Sequence, residues 1–86
     1  MDIKITKDCF VPKENIKLYI NYSVNSIKRM VKDMKSKGLV MDLTNGKKTE
    51  TVIFLNTGEA ITTNTRMTTL IARMDPQSAK AIDMDE

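Results

Sequence analysis

Histidine and tryptophan are absent from the 86-residue chain, cysteine occurs once, and the aromatic residues are limited to Phe10, Tyr19, Tyr22 and Phe54. Each shortage excludes a class of function. One cysteine cannot close an intramolecular disulfide, and without histidine Cys9 lacks the usual base of a thiol nucleophile and the usual companion of a zinc site. Cys9 therefore reads as a small core or strand residue. So few aromatics argue against a stacking platform for single-stranded nucleic acid or RNA bases. The sequence holds no glycine-rich phosphate loop, no nucleophile elbow and no closely paired carboxylates on an expected element. General acid–base catalysis needs positioned groups with tuned pKa values, and the pattern offers none, so the reading is a non-enzymatic protein without a cofactor. No apolar run approaches the roughly 20 residues needed to cross a bilayer. The start Met1-Asp2-Ile3-Lys4-Ile5 alternates and carries an early acid, unlike a signal peptide, which gives a cytoplasmic expectation.

What is present suits an ordinary small globular domain, with 41% hydrophobic and 29% charged residues. A domain of this size buries only about 60% of the surface its unfolded chain exposes, so a partner would help. Charge is unevenly spread although the net value is only +3. Residues 1–74 carry thirteen Lys/Arg against seven Asp/Glu, a body near +6. Residues 75–86 carry Lys80 against Asp75, Asp83, Asp85 and Glu86, a tail near −3. The expected organisation is one domain over 1–74 and an acidic tail over 75–86. A basic body points to an anionic partner; the tail either competes for the same surface or serves solubility.

Ile3 and Ile5 alternate with polar residues, as do Ile16, Leu18 and Ile20, which predicts two strands with Pro12 at an end or an edge between them. From 25 to 37 the period changes. Ile27, Met30, Val31 and Met34 share one helical face, with Ser23 or Asn25 as the expected cap and Gly38 as the expected stop. The opposite face carries Lys28, Arg29, Lys32, Lys35 and Lys37. Residues 39–43 read as a largely buried strand, and Asn45-Gly46 as a hairpin turn into a strand over 49–55. A second turn at Asn56-Thr57-Gly58 leads to a strand over 59–63, so a meander of three strands is expected. Met67, Leu70, Ile71 and Met74 form a second helical face, with Asn64 as its expected cap. Most of the methionines at helical spacing read as core filling rather than a binding surface. The sum is an α+β fold in the order β-β-α-β-β-β-α, a small mostly antiparallel sheet with both helices on one face.

Two features bear on function. Asp42 is the only acid in an expected buried strand, and hydrogen bonding by Asp42 or Thr44 to the following turn explains it better than catalysis does. Lys47-Lys48, placed directly after the Asn-Gly turn, reads as a phosphate grip on a stiff loop, or as a solubilising guard of a strand edge.

The stretch Ile27-Lys28-Arg29-Met30, then Leu39-Val40-Met41-Asp42-Leu43-Thr44-Asn45-Gly46-Lys47-Lys48-Thr49, then Val52-Ile53 resembles the RemA family of bacterial regulators of extracellular matrix and biofilm genes. The resemblance implies a small subunit that assembles into a homo-oligomeric ring and binds double-stranded DNA to regulate transcription. It implies that the family's paired arginines fall on Lys47 and Lys48. Lysine keeps the charge and loses the planar fork that grips phosphate bidentately, so weaker and less shape-selective binding is expected. A further basic position of the family falls at Asn15, where Lys13 or Lys17 can substitute. The expected phosphate contacts are Lys47, Lys48, Arg29, Lys28 and Lys32. Of these, one subunit brings about three or four onto phosphates at a time, too few for firm binding at physiological salt. Copies around a ring multiply them and let duplex DNA follow the rim. The rival expectations are a non-enzymatic oligomeric module that binds an acidic protein, and an RNA-binding regulator.

Overall fold

Successive residues of a strand point to opposite faces of a sheet, yet Val52, Ile53, Ala60 and Ile61 are all at most 1% exposed. Segments that are apolar on both sides need cover on both sides. The computed structural model, which describes residues 1–75, meets that need with three layers. The described residues form β1 (Asp2–Thr6), β2 (Cys9–Pro12), β3 (Ile16–Asn21), α1 (Asn25–Ser36), β4 (Val40–Asp42), β5 (Thr51–Leu55), β6 (Ala60–Thr63) and α2 (Met67–Met74). A single 3₁₀ turn at Lys13–Asn15 precedes β3. The fold is α+β and contains the expected order, with the short β2 added between the first two expected strands. Most of the expected acidic tail, residues 76–86, lies outside the described residues.

β1 and β2 make a two-stranded antiparallel ribbon, and the other strands make a four-stranded sheet in the order β3-β5-β6-β4. Pro12 sits at the end of the ribbon opposite Asp2, a place where its missing amide hydrogen is harmless. On one face of the sheet, Val52 and Ala60 pack with Ile27 and Val31 of α1. On the other, Ile53 and Ile61 pack with Ile3, Ile5 and Val11 of the ribbon and with Leu70 of α2. The expectation of both helices on one face is thereby overturned. A central pair of strands that is apolar on both sides cannot leave either face in water.

The expected β4–β5 hairpin is also corrected. β4 pairs with β6 and runs parallel to it, while β5 lies between β3 and β6. The residues of β6 are all buried and take an inner position, whereas Met41 is 41% exposed and Leu39 37% exposed, so β4 is an edge and not a buried strand. Asn45 and Gly46 do adopt the positive φ values, 54° and 80°, that a tight turn asks of them. Their turn lies within the longer 43–50 connection that carries the chain past β6. The second turn is a true hairpin, closed by the Leu55 amide donating to the Glu59 carbonyl at 2.9 Å and the Gly58 amide donating to Leu55 at 3.0 Å.

Helix α1 ends as its sequence predicts. Gly38 takes φ 72°, its amide donates to the Lys35 carbonyl at 3.0 Å, and the Leu39 amide donates to Met34 at 3.0 Å, the paired bonds of a Schellman motif. The starts differ from expectation. Val24 and Arg66 occupy the N-cap positions of α1 and α2, and neither helix has a side-chain cap. Ser23 instead uses its amide, which donates to Asn21 Oδ1 at 2.8 Å. Met34 and Met74 pack against the cores, but Met30, expected in the core, is 48% exposed because no strand lies beyond β3 to cover it. The ribbon is latched to the sheet by polar groups: Thr51 Oγ1 donates to the Thr65 carbonyl and Thr65 Oγ1 to the Ile5 carbonyl, both at 2.7 Å. Arg73 adds a bond to the Lys4 carbonyl at 2.9 Å.

A Cβ at Gly38 would meet nothing within 4 Å, so Gly38→Ala tests the backbone alone. Urea denaturation should show a loss of about 1 kcal/mol from forcing a β-carbon into the left-handed region. An unchanged midpoint would contradict the Schellman ending.

Candidate functional site

The loop after β4 is built around one carboxylate. Asp42 Oδ1 accepts from the Thr44 hydroxyl at 2.7 Å, from the Thr44 amide at 3.0 Å and from the Thr62 hydroxyl at 3.3 Å. Thr44 is buried to 4% exposure, and its carbonyl accepts the Lys47 amide at 3.0 Å, which closes the Asn45-Gly46 turn. The Thr44 hydroxyl and then its amide hold the Asp42 carboxyl below its ordinary value of 3.8, against partial desolvation, with lesser help from Thr62 and the charge of Lys35. Asp42, expected within a buried strand, is exposed at the sheet edge, and its role is the turn-bracing one. Lys47 and Lys48 are exposed on this braced loop.

The second element is the polar face of α1. Lys28, Arg29, Lys32 and Lys35 line one open trough of about 330 Å³, together with Tyr22 and Val31. No acid occupies the first turn of α1. Neither Lys28 nor Arg29 lies near the helix C-terminus, where a cation complements the macrodipole, so the dipole does not explain them. Lys37 differs from its neighbours: its ammonium pairs with Asp33 at 3.0 Å. Among the described residues Lys28, Arg29, Lys32, Lys47 and Lys48 form no ion pair with a carboxylate.

Trough and loop meet at Tyr22. A smaller cleft of about 180 Å³ is lined by Tyr22, Ser23, Lys28, Lys48, Thr49 and Glu50, among others. Lys28 Nζ stands 5.9 Å from the centre of the Tyr22 ring. The structure thus brings Lys28, Arg29 and Lys32 together in one trough and Lys28 and Lys48 together in one cleft, while Lys47 borders neither. Lys13 is committed elsewhere, donating to the Met74 carbonyl at 3.0 Å at the end of α2. Lys17 borders an apolar groove instead of the trough. Sequence reasoning left Lys35 out of the site, although its spacing from Lys28 and Lys32 places it on their stripe. It missed Tyr22 altogether, because a lone aromatic between a strand and a helix carries no periodic signal. Among the described residues no group of three or more His, Cys, Asp or Glu could hold a metal ion, and no helix is long and apolar enough to cross a membrane.

Comparison with known proteins gives two findings. Residues 3–74 match the model of the RemA-like family, described as extracellular matrix regulatory protein A-like. Proteins from three strains of Dehalococcoides mccartyi, each named a putative regulatory protein, are 32% identical over 56 residues, 65% of this chain and 58% of theirs. The match thus spans somewhat more than half the length of these curated relatives.

Replacing Asp42 by Ala removes the acceptor that braces the loop. At pH 7 the loss should be about 1 kcal/mol, the scale of charged hydrogen bonds discounted for exposure. A carboxyl whose value is depressed by folding stabilises the fold above its ordinary value and stops doing so as pH falls through the depressed one. The gap in urea stability between wild type and Asp42→Ala should therefore shrink below pH 3.8. A gap that stays constant with pH would contradict the charge's role.

Proposed function

Because the chain belongs to the RemA-like family of regulatory proteins, we propose that it is a ring-forming regulator that binds duplex DNA through its phosphate backbone. The observation that carries this reading is the side-by-side placement of the α1 trough and the 43–50 loop, joined at Lys28. Cations gathered on one surface, without a carboxylate partner among the described residues, are what a polyanion needs. Lys47, Lys48, Arg29, Lys28 and Lys32 serve as phosphate contacts, with Lys35 added. Few aromatics are available to stack bases, which favours the duplex over single strands. Regulation of extracellular matrix genes in the cytoplasm is the role that goes with it.

The sheet edges support the self-assembly part of this reading. β3 and β4 are its two edges, each with unpaired backbone groups, and through β5 and β6 they run in the same direction. The β3 edge of one copy can therefore continue the β4 edge of the next in parallel, a head-to-tail contact that repeated rotation closes into a ring. Apolar surface accompanies both edges: Leu18 at 43% on β3 and Met30 at 48% on α1, Leu39 at 37% just before β4 and Met41 at 41% on it. Leu18, Ile20, Ile27, Met30 and Phe54 wall a groove of about 340 Å³ between α1 and β3, ready to take such side chains.

Two measurements test this reading. Light scattering should return a mass several times that of the subunit, and Leu18→Asp should lower it to that of the subunit; a monomeric wild type would overturn the ring. Binding of unrelated duplex DNA should weaken with salt, and changing Lys47 and Lys48 together to Ala should reduce the slope of log affinity against log salt by about 1.8 per bound subunit. An unaltered slope removes both lysines from the interface. Preference for single-stranded RNA, or no binding to nucleic acid at low salt, would favour an RNA regulator or a protein-interaction module respectively.

A further inference from the structure

We propose that the cleft over Tyr22 seats one phosphodiester group between Lys28 and Lys48, and that Tyr22 is the positioning residue that sets the Lys28 ammonium group. The inference rests on the DNA-binding reading and names the point where a backbone phosphate is gripped.

The two walls of the cleft come from distant parts of the chain. Lys28 rises from the first half of α1, and Lys48 from the loop before β5. The Tyr22 amide donates to the Glu50 carbonyl at 3.0 Å, which fastens the end of β3 to the segment carrying Lys48 and Thr49. The ring is half-buried and packs against the cluster beneath α1, so its position is set by the core. Lys28 Nζ at 5.9 Å from the ring centre lies within cation–π range. A lysine side chain pays a large rotamer cost when it is fixed, and an aromatic face that already holds the ammonium removes part of that cost before the anion arrives.

Charge decides the class of ligand. Lys28 and Lys48 supply two positive charges to the cleft and Glu50 one negative charge, a net of one. A phosphodiester, with one negative charge, balances it. A terminal phosphate or free phosphate, more highly charged at neutral pH, exceeds that balance and is repelled more strongly by the Glu50 carboxylate. Ser23 and Thr49 line the same cleft, and a hydroxyl is able to donate to a phosphate oxygen. Glu50 thus biases the seat toward the interior of a nucleic-acid strand and away from its phosphorylated ends.

The test measures binding of the full chain to a labelled duplex across a range of salt, by fluorescence anisotropy. Tyr22→Phe should keep wild-type affinity, since the ring face is retained, while Tyr22→Leu should lose about 2- to 5-fold per subunit contact. Lys28→Gln should reduce the salt slope by about 0.9 per bound subunit. Glu50→Gln should raise affinity for the duplex and make inorganic phosphate, at matched ionic strength, a better competitor than it is against wild type. A gain of binding cannot come from misfolding, which separates this effect from structural damage. If Tyr22→Phe binds as weakly as Tyr22→Leu, or if Glu50→Gln changes neither duplex binding nor phosphate competition, the seat is overturned while DNA binding stands. If the wild-type protein binds no duplex at low salt, the DNA-binding reading falls and the seat falls with it.

Discussion

Two-sided burial of the β5–β6 pair is the constraint from which the rest of the architecture follows. Val52 and Ala60 face one way, Ile53 and Ile61 the other, and both sets are removed from water. Helix α1 covers the first face with Ile27 and Val31. The second face is larger than one short helix can cover, and the ribbon joins α2 there with Ile3, Ile5 and Val11. With β5 and β6 inside, β3 and β4 must be the edges. The chain must then travel from the edge at β4 past β6 to reach β5, and that passage is the loop bearing Lys47 and Lys48. The position of the basic loop is thus a consequence of what the core requires.

Polar bonds then convert position into stiffness. Asp42 gathers the Thr44 hydroxyl, the Thr44 amide and the Thr62 hydroxyl on one oxygen, and Thr44 in turn holds the turn shut. Buried Thr51 and half-buried Thr65 do the same elsewhere, tying sheet, loop and ribbon together, and among the described residues no buried side-chain polar atom lacks a partner. A loop held this way presents its lysines at low entropic cost to any anionic partner. The same economy applies at Lys28, which rests over Tyr22.

Several elements were readable from local pattern. The α1 face of Ile27, Val31 and Met34, the stop at Gly38, the alternation of Ile3 and Ile5, and the positive φ of Asn45 and Gly46 all follow from periodicity or from torsional limits within a few residues. The helix caps were misplaced because short polar side chains near a helix start have other partners to choose from, as Asn21 and Ser23 show. The Asn-Gly turn was read as a hairpin because turn chemistry reports the φ of two residues and says nothing of which strand lies alongside. Helical spacing points Met30 to the interior and the apolar run over 39–43 does the same for Met41; their exposure depends on where the sheet ends.

The amino-acid sequence by itself determined the identity of the main elements other than β2, the basic stripe of α1, the tight turn before Lys47 and the likeness to the RemA family. Only the tertiary structure decided that β4 pairs with β6, that the helices take opposite faces, and that Tyr22, Lys28 and Lys48 share a cleft. The reason is one of range. Periodicity, caps and turns are settled by torsions and contacts over a few residues, whereas strand order and the meeting of distant side chains are settled by the burial of the whole apolar surface at once.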